Sequence, residues 1–527
     1  MADRPDDTRS GAVSEETRAP VGERGANRGA ITVSIMLATF MQGVDTTIAN
    51  VALPHMQGSF SASQDQIAWV VTSYIVAAAI MTPLTGWLAG RFGIKYVFFV
   101  SVAGFTLASV LCGVATSLAQ IVTYRLLQGV CWAALVPLSQ TVLLQINPPE
   151  RHGHAMAVWG MGVILGPIVG PALGGWLTDH YTWRWVFFIN VPFGLLASAG
   201  ILIFIHASRH GRREAFDFFG FATLSLAIGA LQMMLDRGEL KDWFGSTEIW
   251  IEATISGLCF YLFVIHTATA TDRSFINRDM LKDANCVVGT VLMFLVGIPL
   301  YGTMTLLPTM LQDLMNYPVM TTGLVTAPRG IGTMIAMIAV ARLAGRVDTR
   351  LMIMTGLVVA AFSMWQMTQF SLYMGMEPII TTGVLQGFGL GFVFTPLSII
   401  TFSTLPRPLL TQGTAIFSLM RNIGGSVGIS IVEALLAENT QIVHSRLVEH
   451  LRPDNPLAQA PTLTPPFSLT IPSGVAALNA EATRQAAMVA YIDDFKLMMI
   501  MVIIGLPLLL LLRRPRPGPR AAALAAE

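Results

Sequence analysis

Charge is what this chain of 527 residues has least of: Asp, Glu, Lys and Arg make up 12%, against about 25% in a soluble protein. Lysine is the scarcest, confined to Lys95, Lys241, Lys282 and Lys496, which follow Ile94, Leu240, Leu281 and Phe495. A Walker A loop needs Gly-Lys. No ATP-binding P-loop is therefore encoded, and work on a solute must draw on an ion gradient, another subunit or the solute's own gradient. There is no HExxH zinc motif and no basic patch suited to nucleic acid. Gly387-Phe388-Gly389-Leu390-Gly391 lies inside an apolar run and reads as close packing rather than a dinucleotide loop. The four cysteines, Cys112, Cys131, Cys259 and Cys286, form no CxxC pair. That argues against a disulfide framework or a zinc site and for buried packing. No cleavable signal peptide is evident. Residues 1–29 are polar and mixed in charge and read as a disordered tail, and the first apolar run is too long for a signal h-region.

What is present is hydrophobic sequence: 53% of residues, with mean hydropathy +0.62. Fourteen stretches are long enough to cross a bilayer core: about 30–53, 67–89, 97–115, 119–145, 155–177, 185–206, 217–235, 248–268, 286–311, 322–344, 351–370, 377–400, 413–436 and 490–512. Arg91, Lys95, Arg151, Arg209, Arg212, Arg213, Arg273, Arg278, Lys282, Arg342, Arg346, Arg350 and Arg407 fall in one set of loops. The opposite short loops hold Arg184, Arg237 and Lys241. The positive-inside bias puts both termini in the cytoplasm, which needs an even number of spans. The expectation is a multi-pass protein of the bacterial inner membrane.

An internal echo points to duplication. Leu88-Ala89-Gly90-Arg91 ends span two and Leu343-Ala344-Gly345-Arg346 ends span ten. Leu127-Gln128-Gly129 in span four returns as Leu385-Gln386-Gly387 in span twelve. Spans one to six pair with nine to fourteen, and seven and eight are an insert; parallel six-span halves are a known transporter plan. The expected domains are residues 1–29, a cytoplasmic tail; 30–206, the first bundle; 207–270, the insert; 271–512, the second bundle; and 513–527, a second tail. Residues 437–489 read as a periplasmic loop. Gln441 to Leu451 continue helix thirteen outward, and Ala476 to Ala490 are helical again. Between them Pro453, Pro456, Pro461, Pro465, Pro466 and Pro472 enforce an extended stretch.

The most informative run is Trp159 to Leu177. Gly162, Gly166, Gly170 and Gly174 fall four apart, so a helix carries them as one bare stripe, with Pro167 and Pro171 beside it. A membrane tolerates such a helix, and the stripe lets a second helix approach backbone to backbone. Charges within spans are functional candidates by default. Asp45 lies in span one, with Met41 and Gln42 one turn back, on a face polar enough to line a cavity. Its carboxyl is the group there that can bind and release a proton. Arg125, in the outer third of span four, does not deprotonate, so it is assigned to coupling rather than carriage. The matching place in the repeat, near Gly383, has no charge, which locates the proton machinery in the first half. Met41, Gln42, Asn50, Gln128 and Arg329 are assigned to the substrate cavity, and Arg421 with Asn422 to a clamp. Asp493 and Asp494, with Lys496 close by, read as marking the water interface, as does Glu433. His55, His152, His154, His206 and His266 sit near span ends and read as solvated. The 28 Met and 28 Phe suit greasy substrates that a pliable pocket can take, though core and lipid-facing surface account for most of them.

Several of these motifs together resemble the major facilitator superfamily, and more narrowly the fourteen-span drug:proton antiporters of the EmrB/QacA group. The run from Gly162 to Gly174 is similar to that group's antiporter motif. Arg125-Leu126-Leu127-Gln128-Gly129, followed by Pro137, is similar to its span-four motif. Asp45 to Pro54 resembles its span-one motif, Trp183 to Pro192 its span-five-to-six signature, and Arg421 to Gly428 its span-thirteen signature. Gly86, Arg91, Gly93 and Lys95 match a conformational loop motif in which Gly90 stands where an aspartate is usual; Asp348 is offered as a substitute.

The resemblance implies an all-α integral membrane fold, two six-helix bundles plus two extra helices. It implies no cofactor beyond the proton gradient and proton-coupled export of hydrophobic or amphipathic toxic compounds. The partners implied are small substrates, protons, the lipid bilayer, a periplasmic adaptor and an outer-membrane channel. A dedicated exporter of one metabolite or siderophore-like compound is the alternative. A membrane sensor or scaffold without flux is a third reading.

Overall fold

A computed structural model describes residues 28–148, 151–206, 216–269, 276–344, 346–451, 467–468 and 471–513. Most of both tails, and Pro453, Pro456, Pro461, Pro465 and Pro466, lie outside the described residues. The first half comprises α1 (Arg28–Phe60), α2 (Gln64–Met81), α3 (Leu84–Phe92), α4 (Ile94–Val114), α5 (Leu118–Trp132), α6 (Leu135–Ile146), α7 (His152–His180), α8 (Trp185–Phe188) and α9 (Asn190–Phe204). Two helices follow, α10 (Phe218–Arg237) and α11 (Thr247–Thr269). The second half has α12 (Arg278–Lys282), α13 (Ala284–Thr309), α14 (Val319–Thr326), α15 (Pro328–Leu343), α16 (Thr349–Met367), α17 (Met376–Phe402), α18 (Leu410–Glu449) and α19 (Pro472–Leu508).

Among the described residues, twelve helices or helix pairs are long and apolar enough to span a bilayer, and a thirteenth forms if the bent pair α2–α3 is one span. That pair bends by 58° at Thr82-Pro83, where proline cannot donate the bond that would continue the helix. Gly93, at φ 86°, turns the chain from α3 into α4, a backbone conformation that a residue with a Cβ rarely adopts.

The sequence echo is repeated in three dimensions. α1 packs on α7 as α13 packs on α18, α2 on α5 as α15 on α17, and α4 on α5 as α16 on α17. α9 packs on α1 and α4 as α19 packs on α13 and α16. The insert is asymmetric. α10 lies against α2 and α18, with Thr72 bonded to Asp236 across the first seam and Ser430 Oγ donating to the Leu235 carbonyl (2.8 Å) across the second. α11 packs chiefly on α10 and turns Trp250, Leu258, Phe260 and Tyr261 outward. Apolar side chains on an outer face are what a lipid-facing helix needs.

The halves meet towards the Lys/Arg-rich end. Trp159 on α7 stacks on Phe394 of α17 with ring centroids 5.9 Å apart. Thr141 on α6 and Thr414 on α18 bring their hydroxyls to 2.9 Å. A Cβ added to Gly86 of α3 would meet Gln412 of α18 at 3.1 Å, and one on Gly160 of α7 would meet Met337 of α15 at 2.8 Å. Gly90, by contrast, faces open space. Asp348 accepts from the Arg350 amide at 3.1 Å and caps α16.

Several expectations are corrected. Pro472 does not extend the chain: it is the first residue of α19, where its missing N–H is no loss. The expected outward continuation of helix thirteen is present: α18 runs on to Glu449, and His444 meets Asn479 of α19 at 3.0 Å. Asp494 is no interface residue, being 1% exposed, whereas Asp493 and Lys496 are exposed. Glu433 is half-buried. His266 is not merely solvated: its Nε2 lies 3.0 Å from both Asp217 carboxylate oxygens. His152 Nε2 lies 3.0 Å from the Leu144 carbonyl.

The glycine stripe of α7 faces α1 throughout. A Cβ would meet Met36 from Gly162 (3.3 Å), the Val44 amide from Gly166 (2.6 Å), Thr47 from Gly170 and Ile48 from Gly174 (2.8 Å). Gly166→Ala is therefore expected to lower stability by about 1–3 kcal/mol through overpacking, seen as a lower midpoint of thermal unfolding in detergent. Gly175→Ala on the same helix, with nothing within 4 Å, should leave the midpoint unchanged.

Candidate functional site

Asp45 sits midway along α1, held by its i, i±4 neighbours Met41 and Ala49 against the interior of the first half; it is 0% exposed and Arg125 is 1% exposed. Arg125 Nη1 donates to Asp45 Oδ2 at 3.0 Å and to Gln128 Oε1 at 2.8 Å, and its Nε donates to the Val70 carbonyl at 3.2 Å. The other carboxylate oxygen accepts from Gln128 Nε2 and Asn190 Nδ2, both at 2.9 Å. Asn190 also donates to Ser109 Oγ (2.9 Å), which donates to the Phe187 carbonyl (2.9 Å). Tyr74 lays its ring 4.2 Å from the guanidinium carbon, with Phe187 at 5.6 Å. Six elements, α1, α2, α4, α5, α8 and α9, thus close around one ion pair.

The local reasons are visible in the sequence. Arg125 and Gln128 are three apart on α5 and share a face. Gly129, one position on, lets α5 approach the Tyr74 carbonyl of α2, where a Cβ would clash. The carboxylate has three donors and the guanidinium three acceptors, so this charge pair in an apolar interior is compensated, as such pairs must be. The arrangement can do one chemical thing: a proton added to Asp45 removes the charge that holds Arg125 and forces the shared donors to redistribute.

Of the other expected cavity residues, Gln128 is in the network. Met41 and Gln42 are packed, 1% and 6% exposed; the Gln42 side-chain oxygen has no partner among the described residues. Asn50 is exposed and lies on a different face of α1 from Asp45. Arg329 is half-buried on α15 and donates from Nη2 to the Leu300 carbonyl at 3.1 Å. Arg421 is buried. Its Nε and Nη2 each lie 3.3 Å from Asn422 Oδ1, and its guanidinium lies 5.9 Å from the Phe394 ring. Arg421 therefore approaches the aromatic stack that joins the halves.

The repeat comparison gains a detail that the linear search for a charge at Gly383 missed. Gly129 approaches the Tyr74 carbonyl in the first half as Gly387 approaches the Arg329 carbonyl in the second, and Arg329 Cβ lies 3.8 Å from a Cβ built on Gly383. The second half does carry an arginine at this depth, moved from the helix matching α5 to the one matching α2. Tyr74, Ser109 and Phe187 carried no sequence signal of their own. Asn190 did, as an amide inside a strongly apolar run.

Two pseudo-symmetric helical bundles, the first enclosing an occluded ion pair, in a chain built of membrane-length helices, define a secondary-transporter architecture. Residues 35–429 match the family described as the Major Facilitator Superfamily, and the chain belongs to it. It is 38% identical over 442 residues to the multidrug export protein EmrB of Escherichia coli K12, covering 83% of this chain and 85% of that protein. It is 36% identical over 437 residues to EmrB of Haemophilus influenzae (82% and 84%) and 36% over 431 residues to the fatty acid resistance protein FarB of Neisseria gonorrhoeae (82% and 85%). The xylose symporter XylE superposes with TM-score 0.59 at 13% identity, over 90% of this chain and 95% of that one. The human organic anion transporter MFSD10 gives 0.57 at 14%, over 92% and 100%. At those identities the two solved structures speak to the fold alone.

Breaking the pair from one side strands a buried charge, which costs about 3–5 kcal/mol. Arg125→Met is expected to unfold the protein at a markedly lower temperature. Asp45→Asn with Arg125→Met should recover part of the loss in a double-mutant cycle. A double-variant loss equal to the sum of the two single-variant losses would mean that the pair contributes nothing.

Proposed function

We propose that this protein exports hydrophobic or amphipathic toxic compounds from the cytoplasm in exchange for protons, so that it confers multidrug resistance. The observation that carries the reading is the enclosed Asp45–Arg125–Gln128–Asn190 network on a helix gripped by the glycine stripe of α7. The names printed for its EmrB relatives support drug export. The spans number fourteen if the 29-residue helix α7 is counted with the thirteen. The Lys/Arg-rich end faces the cytoplasm with both termini. In that orientation the contacts between the halves close the cytoplasmic side.

The mechanism follows from the network. With Asp45 ionised, Arg125 is neutralised and α1 is pinned to α5 and α9. A proton arriving from outside discharges Asp45 and frees the guanidinium to favour a different arrangement of the halves. Inside, the proton leaves and Arg125 is recaptured. Arg125 never carries the proton. A gradient worth about 2.3 kcal/mol per charge per 100 mV can drive the cycle. The substrate binds between the halves, with Met41, Gln42, Asn50 and Arg329 near its path, and Arg421–Asn422 clamps the second half. The glycines and cations Gly86, Arg91, Gly93 and Lys95, with Gly162, Gly166, Pro167, Gly170, Pro171 and Gly174, govern the movement. The protein needs no cofactor beyond the proton gradient. A periplasmic adaptor engages the segment between α18 and α19 and leads to an outer-membrane channel.

Transport in proteoliposomes with an imposed pH step tests the reading, using a panel of chemically unrelated hydrophobic and amphipathic compounds such as ethidium. Substrate-dependent proton flux is expected in the wild type and at least a tenfold loss in Asp45→Asn, with the variant still inserted. Undiminished proton-coupled export by Asp45→Asn would sink the assignment. Flux of a single compound would instead favour a dedicated exporter. Deletion of residues 453–466 is expected to abolish co-purification of a periplasmic adaptor; unchanged capture would remove that segment from the interface.

A further inference from the structure

Asp494 on α19 is 1% exposed, and neither of its carboxylate oxygens has a hydrogen-bond partner among the described residues. Asp45, equally buried, has its donors in place; Asp494 has none. One turn on, Met498 places its sulfur 2.9 Å from where a Cβ on Gly302 of α13 would stand, and Val432 of α18 borders the same point. Residues four apart share a helix face, so the Asp494 carboxyl is directed into the seam between α13, α18 and α19. Next to it Phe495 packs edge-on against Phe370, with centroids 6.0 Å apart. At its outer end α13 passes into a single π-helical turn, Met310–Leu314, a rare feature found most often at functional sites.

The titratable groups around the seam are Tyr491 on α19, Glu433 on α18 and Asp313 on the π-turn, with exposed Asp493 adjacent. The cations of α19 are engaged or turned away. Arg484 donates to the Leu314 carbonyl at 3.0 Å and pairs with Glu481 at 3.4 Å, and Lys496 is exposed. Among the described residues no cation from α13, α16, α18 or α19 is bonded to Asp494.

We propose that Asp494 is a second proton-binding site, in the second half of the protein, loaded and unloaded by movement of α19 against α13 and α18. The two states of a carboxyl require different surroundings: the ionised group needs donors or water, the neutral acid needs neither in full. One dry enclosure does not suit both. Water reaches the carboxyl when α19 lifts from the seam, and the proton passes between that water and an Asp494 oxygen. Proton occupancy and helix packing then bias each other reciprocally. The site stands whether or not Asp45 carries the exchanged proton.

Infrared difference spectroscopy of the full-length protein in lipid, cycled between mildly acidic and mildly alkaline buffer, reads this directly and needs no substrate. A carboxylic C=O band of a group in an apolar environment is expected in the wild type, lost in Asp494→Asn, shifted in Asp494→Glu and retained in Asp45→Asn. A band unchanged in Asp494→Asn, or no pH-dependent band in the wild type, overturns the proposal. Should Asp494→Asn fail to insert, Asp494→Glu carries the test: a shifted band supports the site and an unshifted one overturns it. Loss of the band in Asp45→Asn but not in Asp494→Asn would locate the only exchangeable proton at Asp45.

Discussion

An ion pair in hydrocarbon imposes the most demanding constraint on this molecule. Asp45 and Arg125 are both essentially inaccessible to water, and either alone would be a large liability there. Their compatibility with the fold depends on hydrogen-bond partners for both charges. Gln128, Asn190 and the Val70 carbonyl supply them from helices that must all arrive at the same depth. The close approaches that allow this come from glycine: Gly129 beneath the Tyr74 carbonyl, and the stripe on α7 that seats α1. The packing of the first half and its electrostatics are thus one problem. A change in the charge of Asp45 is felt as a change in which helices are tied together.

The second half uses the same framework without the same charge pair. α13 and α18 approach through Gly424 and Gly428, as α1 and α7 do through Gly166 and Gly170. Yet the glutamine of the repeated Leu-Gln-Gly, Gln386, is 0% exposed with no partner for either amide atom among the described residues, where Gln128 bonds both Arg125 and Asp45. The buried acid of α19 in this half is Asp494, and the arginines are Arg329, half-buried on α15, and Arg421, buried on α18. Duplicated backbones have diverged in where their buried charges sit.

The described contacts of the seam between the halves are apolar and hydroxyl contacts. Trp159 on Phe394, Thr141 against Thr414, and the glycine contacts at Gly86 and Gly160 join the halves. Such contacts part without exposing unpaired charge, as an interface that must open and reclose requires. Trp159 also donates to Ser139 at 2.9 Å, which fixes its ring within the first half, so the stack can break as a unit at Phe394.

Sequence alone determined the class of molecule. Runs of apolar residues of bilayer length have few alternatives to helix, because unpaired backbone polar groups have no partner in lipid. Likewise, a carboxylate and an arginine inside such runs are too costly to be incidental, and glycines four apart mark a face for close approach whatever the partner. What sequence could not carry was which helix meets which. Asn190, Tyr74 and Ser109 join Asp45 across large separations in the chain, through rotations and depths that no local spacing encodes. The burial of Asp494 was decided in the same way: two adjacent aspartates look alike in the chain, but 100° of helical rotation sends one to water and the other into a seam without donors.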